Sequence, residues 1–451
     1  VRRLHFYAAI FVGPFILVAA VSGALYSLTP QIEKIVYAHE LYVPESDTQL
    51  PLAVQIEAAE DYIGPDETLT AVRPAPAPGQ TTRVMYAGED LGDSESRAIF
   101  IDPSTAEVRG DLTVYGTSGA LPLRTWVDQL HRSLHLGDVG RLYSELAASW
   151  LGVIAVAGVC LWVIRARKSR RAAQLLRPSL AGAGLRRTFS WHASVGIWAA
   201  IGMLFLSATG ITWSQYGGAN FTELRAAVGW ETPAVDASLS GEPSEAGEHA
   251  HHHGGDASTA GPSDDRPDPA HFDEVLAVAQ GVNVNTGLVE ITPPADAQSA
   301  WVVQEIQRSY PTEVDAVAVD GRTMDVTDRV DFDEFGLIAK LSRWGIDTHM
   351  GSMFGLPNQL LLFALASGIA CMVVWGYLMW WQRRPRNAPQ RRMGVLPPRG
   401  ALRSAPWWAT STLVLLTAAI GWFLPLLGIS LLAFVVVDLL LGWRAARRTM
   451  S

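Results

Sequence analysis

Residues 130–165 read LHRSLHLGDVGRLYSELAASWLGVIAVAGVCLWVIR, and residues 348–383 read THMGSMFGLPNQLLLFALASGIACMVVWGYLMWWQR. Each begins at a histidine-bearing segment and runs into an apolar stretch. In the first, residues 143–164 carry a single charged side chain, Glu145. An α-helix rises about 1.5 Å per residue, so about 20 such residues cross a hydrocarbon core roughly 30 Å thick. Shifted by 218, His131 meets His349, Gly137 meets Gly355 and Gly158 meets Gly376. Outward from there, Asp102–Trp162 matches Asp320–Trp380 without a gap, with Thr105 on Thr323, Val108 on Val326 and Trp126 on Trp344. Upstream the shift is 187, which places His5 on His192 and Ser22-Gly23 on Thr209-Gly210. Shared Trp, His and Gly at fixed spacing point to an internal duplication in which both halves cross the membrane in the same direction.

The fold class expected is mainly α: a polytopic membrane helix bundle of about six transmembrane helices with two small α+β ectodomains. The expected parts are helix 1 in 1–29, a first ectodomain in 30–142, helix 2 in 143–165 and a basic loop in 166–190. Helix 3 in 191–214, a second ectodomain in 215–354, helix 4 in 355–382 and a basic loop in 383–404 repeat that order. A transmembrane hairpin in 405–443, turning at Leu424-Pro425-Leu426, and a tail in 444–451 complete it. Arginine gathers at 2–3, 165–187, 383–403 and 444–448, so the positive-inside rule predicts both termini cytoplasmic and the ectodomains outside. The first apolar run lacks a small-residue cleavage site after it and is expected to be an anchor rather than a removable signal peptide.

Within each ectodomain the periodicity predicts a helix and then strands. The first has Leu52–Tyr62 followed by 68–73, 81–86 and 98–101; the second has Ala270–Gln280 followed by 288–292, 300–306 and 314–319. Residues 236–269 are rich in Gly, Ser, Pro and Asp and read as a disordered linker. The linker's His249, His251, His252 and His253 have metal-binding composition on no ordered scaffold, so loose capture of a transition metal is the most they suggest.

The net charge of −9 argues against a nucleic-acid partner, and the placement of the basic residues argues for membrane lipid. Cys160 and Cys371 lie in apolar runs and are expected to be small core residues, leaving no basis for a disulfide framework. Asp438 stands well inside the last run, close enough to Arg444 to reach the interface. No flavin or nicotinamide motif, P-loop or His-Glu-x-x-His is present, so electrons for any redox role come from a separate donor.

Each half carries one histidine opening its first helix, His5 and His192, and one before its second, His131 and His349. A pseudo-twofold axis along the membrane normal would face His5 to His192 and His131 to His349. Facing imidazoles in an apolar bundle are what a six-coordinate haem iron uses, and without Cys-x-x-Cys-His the haem would be b-type. His135, four residues after His131, could share its helix face and substitute for it. His39 and His271 have no repeat partner and read as solvated. A histidine at a membrane boundary is commonly just an interfacial side chain; four in two symmetric positions are harder to explain that way.

The chain resembles the PepSY-associated transmembrane family, which includes inner-membrane ferric-siderophore reductases. The resemblance covers most of residues 1–385 and rests on His5-Phe6-Tyr7, Leu130-His131-Arg132-Ser133-Leu134 with Gly137 and Gly140-Arg141, Trp191-His192, and Thr348-His349-Met350-Gly351. The ectodomains look like PepSY units, whose strand, turn and second short strand would be 99–101 to Val108 and 317–319 to Val326. The resemblance implies two haems b, held by His5 with His192 and by His131 with His349. It implies an oxidoreductase of the ferric-reductase type, carrying electrons from a quinol or a reductase to a ferric siderophore or other metal complex. Two other readings stay open: a haem-free PepSY protein that regulates an envelope peptidase or senses a ligand, and an iron or haem permease.

Overall fold

The computed structural model describes residues 1–169, 172–179, 183–240, 266–383 and 406–448. In chain order the elements are α1 (Arg2–Phe11), α2 (Gly13–Val36), α3 (Ala38–Leu41), α4 (Leu52–Ile63), β1 (Leu69–Arg73), β2 (Thr82–Tyr86), β3 (Glu95–Ile101) and β4 (Val108–Tyr115). Then come α5 (Pro122–Ser133), α6 (Gly137–Lys168), α7 (Leu185–Thr212), α8 (Tyr216–Val228) and α9 (Ala270–Gln280). They are followed by β5 (Val289–Thr292), β6 (Trp301–Glu305), β7 (Ala316–Val319), β8 (Val326–Val330), α10 (Leu337–Met350), α11 (Gly355–Gln382), α12 (Trp407–Phe423) and α13 (Pro425–Arg448). The described chain forms two compact units. One comprises 1–27, 128–228 and 360–451; the other comprises 28–127 and 229–359.

The first unit is helical. Among the described residues five helices, α2, α6, α7, α11 and α13, are long and apolar enough to cross a membrane. The sixth expected span, 405–424, appears as the 17-residue α12. At about 1.5 Å per residue it rises about 25 Å, the short end of what crosses a membrane. The first expected span is also displaced: Pro14 cannot supply the backbone N–H that would continue α1, so a new helix starts at Gly13 and runs to Val36. His5 therefore stands on a short helix of its own. Small residues close the bundle, with Ala8, Ala20, Ala147, Ala155 and Ala199 buried among Ile16, Trp150, Ile154, Met203 and Met372. The hairpin is tied in by Trp150 Nε1 donating to Ser430 Oγ at 2.9 Å and Asn220 Nδ2 donating to the Phe423 carbonyl at 2.8 Å. Asp438 forms an ion pair with Arg3, which accounts for an acid at that depth. Cys160 and Cys371 sit in helices as expected but are exposed, on faces that point away from the bundle, and so are not core residues.

The second unit departs from the sequence expectation of two small α+β domains. Its eight strands form one antiparallel sheet in the order β4-β3-β2-β1-β5-β6-β7-β8. The halves meet at β1 and β5, where Val72 pairs with Ile291. A single core covers the seam: Ile56, Ala59, Val72, Val84, Ile99, Phe272, Val275, Ile291, Val303 and Val317. Helices α4 and α9 pack on that core, and the Asp273 carboxylate on α9 accepts the N–H groups of Leu52 and Ala53 at 2.9 and 3.0 Å, capping α4 from the other half. Arg73 and Glu290 form an ion pair across the same seam. An anion on a helix N-terminus contributes about 1 kcal/mol or somewhat more. Asp273→Ala is therefore expected to lower stability by roughly 1–2 kcal/mol, read as a fall in melting temperature; an unchanged midpoint would show that the cap contributes nothing.

The turns of the two halves match closely. In one, Asp102 N–H donates to the Glu107 carbonyl and Ala106 N–H to the Asp102 carbonyl, with Ala106 at φ +59°. In the other, Asp320 N–H donates to the Asp325 carbonyl and Met324 N–H to the Asp320 carbonyl, with Met324 also at φ +59°. Each turn follows a register irregularity at the end of its strand, at 100/101 and at 318/319. The expected linker is ordered at its start, where Leu239 N–H donates to the Gln298 carbonyl. Residues 241–265, including His249, His251, His252 and His253, lie outside the described residues, as does most of the basic loop 383–404.

Candidate functional site

His5 on α1 and His192 on α7 come together in the helical unit, with ring centres 6.4 Å apart and ring planes at 79°. His5 Nδ1 lies 3.1 Å from the Ile154 carbonyl of α6, and His192 Nδ1 lies 3.1 Å from the Met372 carbonyl of α11. Ile154 and Met372 are themselves equivalent positions in the register that matches His131 to His349. A carbonyl only accepts, so in each ring Nδ1 carries the hydrogen and donates it, and Nε2 keeps its lone pair. A bound metal ligand is normally oriented by this kind of contact.

His131, on the last turn of α5, obeys the same rule. Its Nδ1 is 3.0 Å from Ser22 Oγ, whose own hydrogen goes to the Val18 carbonyl at 2.8 Å. The serine is thus the acceptor, and Nε2 of His131 is again unprotonated. Burial pushes the His131 imidazole below its ordinary pKa, which keeps it neutral near pH 7. The Tyr143 hydroxyl donates to the His131 backbone carbonyl and fixes the end of α5. The corner between α5 and α6 needs glycine twice. Gly137 sits at φ +58°, and a side chain on Gly140 would collide with the Ser133 carbonyl. Gly355, its repeat counterpart before α11, has φ +57°. The Leu130–Arg141 motif is thus partly the geometry of a corner that aims His131.

His135 does not share the face of His131. α5 ends at Ser133, and Leu134 and His135 both turn through positive φ, leaving His135 exposed. His349 stands half-buried on α10 in the sheet unit. Two residues before it, Asp347 is wholly buried between Arg343, whose Nε donates at 3.1 Å, and Arg308, 3.8 Å away. Burial nevertheless raises the Asp347 carboxyl. In the sequence only the i,i+4 spacing from Arg343 points to Asp347, because its other partner, Arg308, lies in a distant loop. His39 is exposed as expected, while His271 is half-buried with its ring 6.2 Å from that of Trp301, held there by the neighbouring Phe272 at the sheet.

Whether these residues suit a haem can be judged from the donor set and its surroundings. Imidazoles binding one metal from opposite sides have ring centres about 6 Å apart, since each bond is about 2 Å and the nitrogen lies about 1 Å from its ring centre. The 6.4 Å of His5 and His192 agrees with that. Glycine backs the rings: a Cβ on Gly158 would lie 3.3 Å from Cε1 of His5, and one on Gly23 would lie 3.1 Å from Cε1 of His131. One residue past Met372 begins an apolar cleft of about 370 Å³ lined by Leu17, Val373, Val374, Tyr377, Leu378 and Trp381. The donor chemistry of the pair fits the group; the cleft itself is lined by neither histidine.

Several long apolar helices and an antiparallel sheet unit define a multi-pass membrane protein. The family described as PepSY-associated TM region matches residues 2–383, and the chain belongs to that family. No curated protein matches the sequence.

Proposed function

We propose that the protein is a di-haem transmembrane electron carrier that reduces an extracytoplasmic metal complex, with a ferric siderophore as the acceptor. The observation that carries this reading is the paired fixing of His5 and His192 by carbonyls at equivalent positions of the repeat, at a ring separation suited to one metal. A haem b supplies a one-electron Fe(III)/Fe(II) couple when bound. The chain's part is to present unprotonated Nε2 atoms, hold their rings against helix carbonyls and exclude water with apolar side chains. His5 and His192 serve the inner group. His131 and His349 serve the outer one, an assignment that rests on the register of the repeat alone. In the same reading the matched turns record a duplication, the sheet unit consists of PepSY domains facing outward, both termini are cytoplasmic, and a quinol or a separate reductase supplies the electrons.

The test is the visible spectrum of detergent-purified protein, oxidised and then reduced with dithionite, with a pyridine haemochrome count. Sharp reduced bands with about two b-type haems per chain are expected. A colourless protein after expression with ample haem would refute the proposal.

A further inference from the structure

At the end of β6 and the start of β7, three carboxylates converge. One oxygen each from Glu305, Glu313 and Asp315 lies within 4.8 Å of the other two. Glu305 is wholly buried; its Oε1 accepts the backbone N–H groups of Asn285 and Thr286 at 2.7 Å each, while Oε2 is buried without a hydrogen-bond partner among the described residues. The Thr286 hydroxyl beside it is likewise buried and unpartnered. Among the described residues no Lys, Arg or His forms an ion pair with any of the three. Arg329, on the adjacent β8, is engaged by Asp331 at 2.6 Å.

The other half of the sheet shows that the fold does not require this arrangement. There Tyr86 occupies the β2 position corresponding to Glu305 on β6, and Tyr86 pairs with Arg97 where Glu305 N–H bonds to the Asp315 carbonyl. In the register that matches Asp102 to Asp320, Glu313 and Asp315 meet Glu95 and Arg97, and Arg97 is neutralised by Asp111 at 2.6 Å. The second half thus has three carboxylates where the first has one carboxylate, a tyrosine and an arginine. A buried carboxylate oxygen left without a hydrogen-bond partner costs about 1–3 kcal/mol or more unless something offsets it.

We propose that Glu305, Glu313 and Asp315 bind a hard divalent cation of the calcium type. Ca²⁺ takes oxygen ligands at about 2.3–2.6 Å, so ligands on opposite sides of it stand about 4.8 Å apart, the outer limit of the spacing here. Burial, and then the neighbouring carboxylates, raise the Glu313 and Asp315 carboxyls, as expected of a cluster of like charges. The ion would join both ends of the loop 306–314. That loop carries Arg308, the partner of Asp347 on α10, and Tyr310, whose N–H donates to the Met353 carbonyl at 2.8 Å. Cation binding would therefore stiffen the loop that braces the helix bearing His349.

The test is a calorimetric titration of EDTA-treated full-length protein in neutral detergent with Ca²⁺, repeated with Mg²⁺ and Mn²⁺. Saturable Ca²⁺ binding is expected, weakened at least about tenfold by Glu313→Gln and by Asp315→Asn and unchanged by Glu95→Gln at the matching place in the first half. Under chelation, Asp315→Asn is expected to melt no lower than the wild type, because it removes a repelling charge and keeps the oxygen that accepts Phe332 N–H. The proposal is overturned by absence of saturable binding up to about 10 mM of any of the three ions, well beyond the weak end of protein calcium sites. It is overturned equally by binding that both acidic-site substitutions leave intact.

Discussion

His192→Ala is expected to bring the haem content from about two per chain to about one, with the reduced visible bands falling to roughly half; His5→Ala should do the same. On the proposed reading both rings would hold one metal, so losing either lone pair would remove a bond that the apolar surroundings cannot replace. Removing His192 also takes from the Met372 carbonyl its side-chain donor, a loss of about 1 kcal/mol that weakens packing on its own. A smaller variant separates the two effects: His192→Gly with free imidazole added to the buffer should regain the missing bands if ligation is the role, whereas repacking would not respond. Retention of both haems in both alanine variants would exclude this pair as the ligands.

A comparably large effect is expected from a residue that touches no metal. Gly158→Leu puts a side chain where a Cβ alone would lie 3.3 Å from the His5 ring, so the ring is driven off the Ile154 carbonyl and the inner haem is lost. Gly376, its counterpart in the second half, has open space where a Cβ would stand, and Gly376→Leu should retain both haems. The sequence treats the two glycines as equivalent; the structure does not. Equal behaviour of the two variants would show that Gly158 does not support His5.

Much of the secondary structure is legible in the sequence because it depends on local periodicity. The pattern gives the helix at Ala270–Gln280 to the residue, and the strands fall within a few residues of their observed bounds. The single sheet is not legible, since pairing Val72 with Ile291 is a contact between distant segments that no local pattern encodes. The histidines stand out in sequence because histidine is rare in apolar runs. Their supports do not: Ile154 and Met372 act through backbone carbonyls, which every residue possesses. Gly137 is visible only as a repeat match, and its reason lies in a backbone angle. His135 departs from expectation because i,i+4 spacing presumes a continuous helix, and α5 stops at Ser133.

The seam of the sheet bears on how such a chain could have arisen. Val72 and Ile291 occupy equivalent places in the two halves, so β1 and β5 meet as like strands meet across a dyad. A polypeptide holding only one half would present β1 as a bare edge and leave Val72, Ile56 and Val84 with half a core. Both deficits are cured by a second copy of itself, docked through the same edge. If the halves are copies of one sequence, as the repeat suggests, a half-length chain would need a partner of its own kind at this edge, and the joined halves differ in carrying Tyr86 in one and Glu305 in the other.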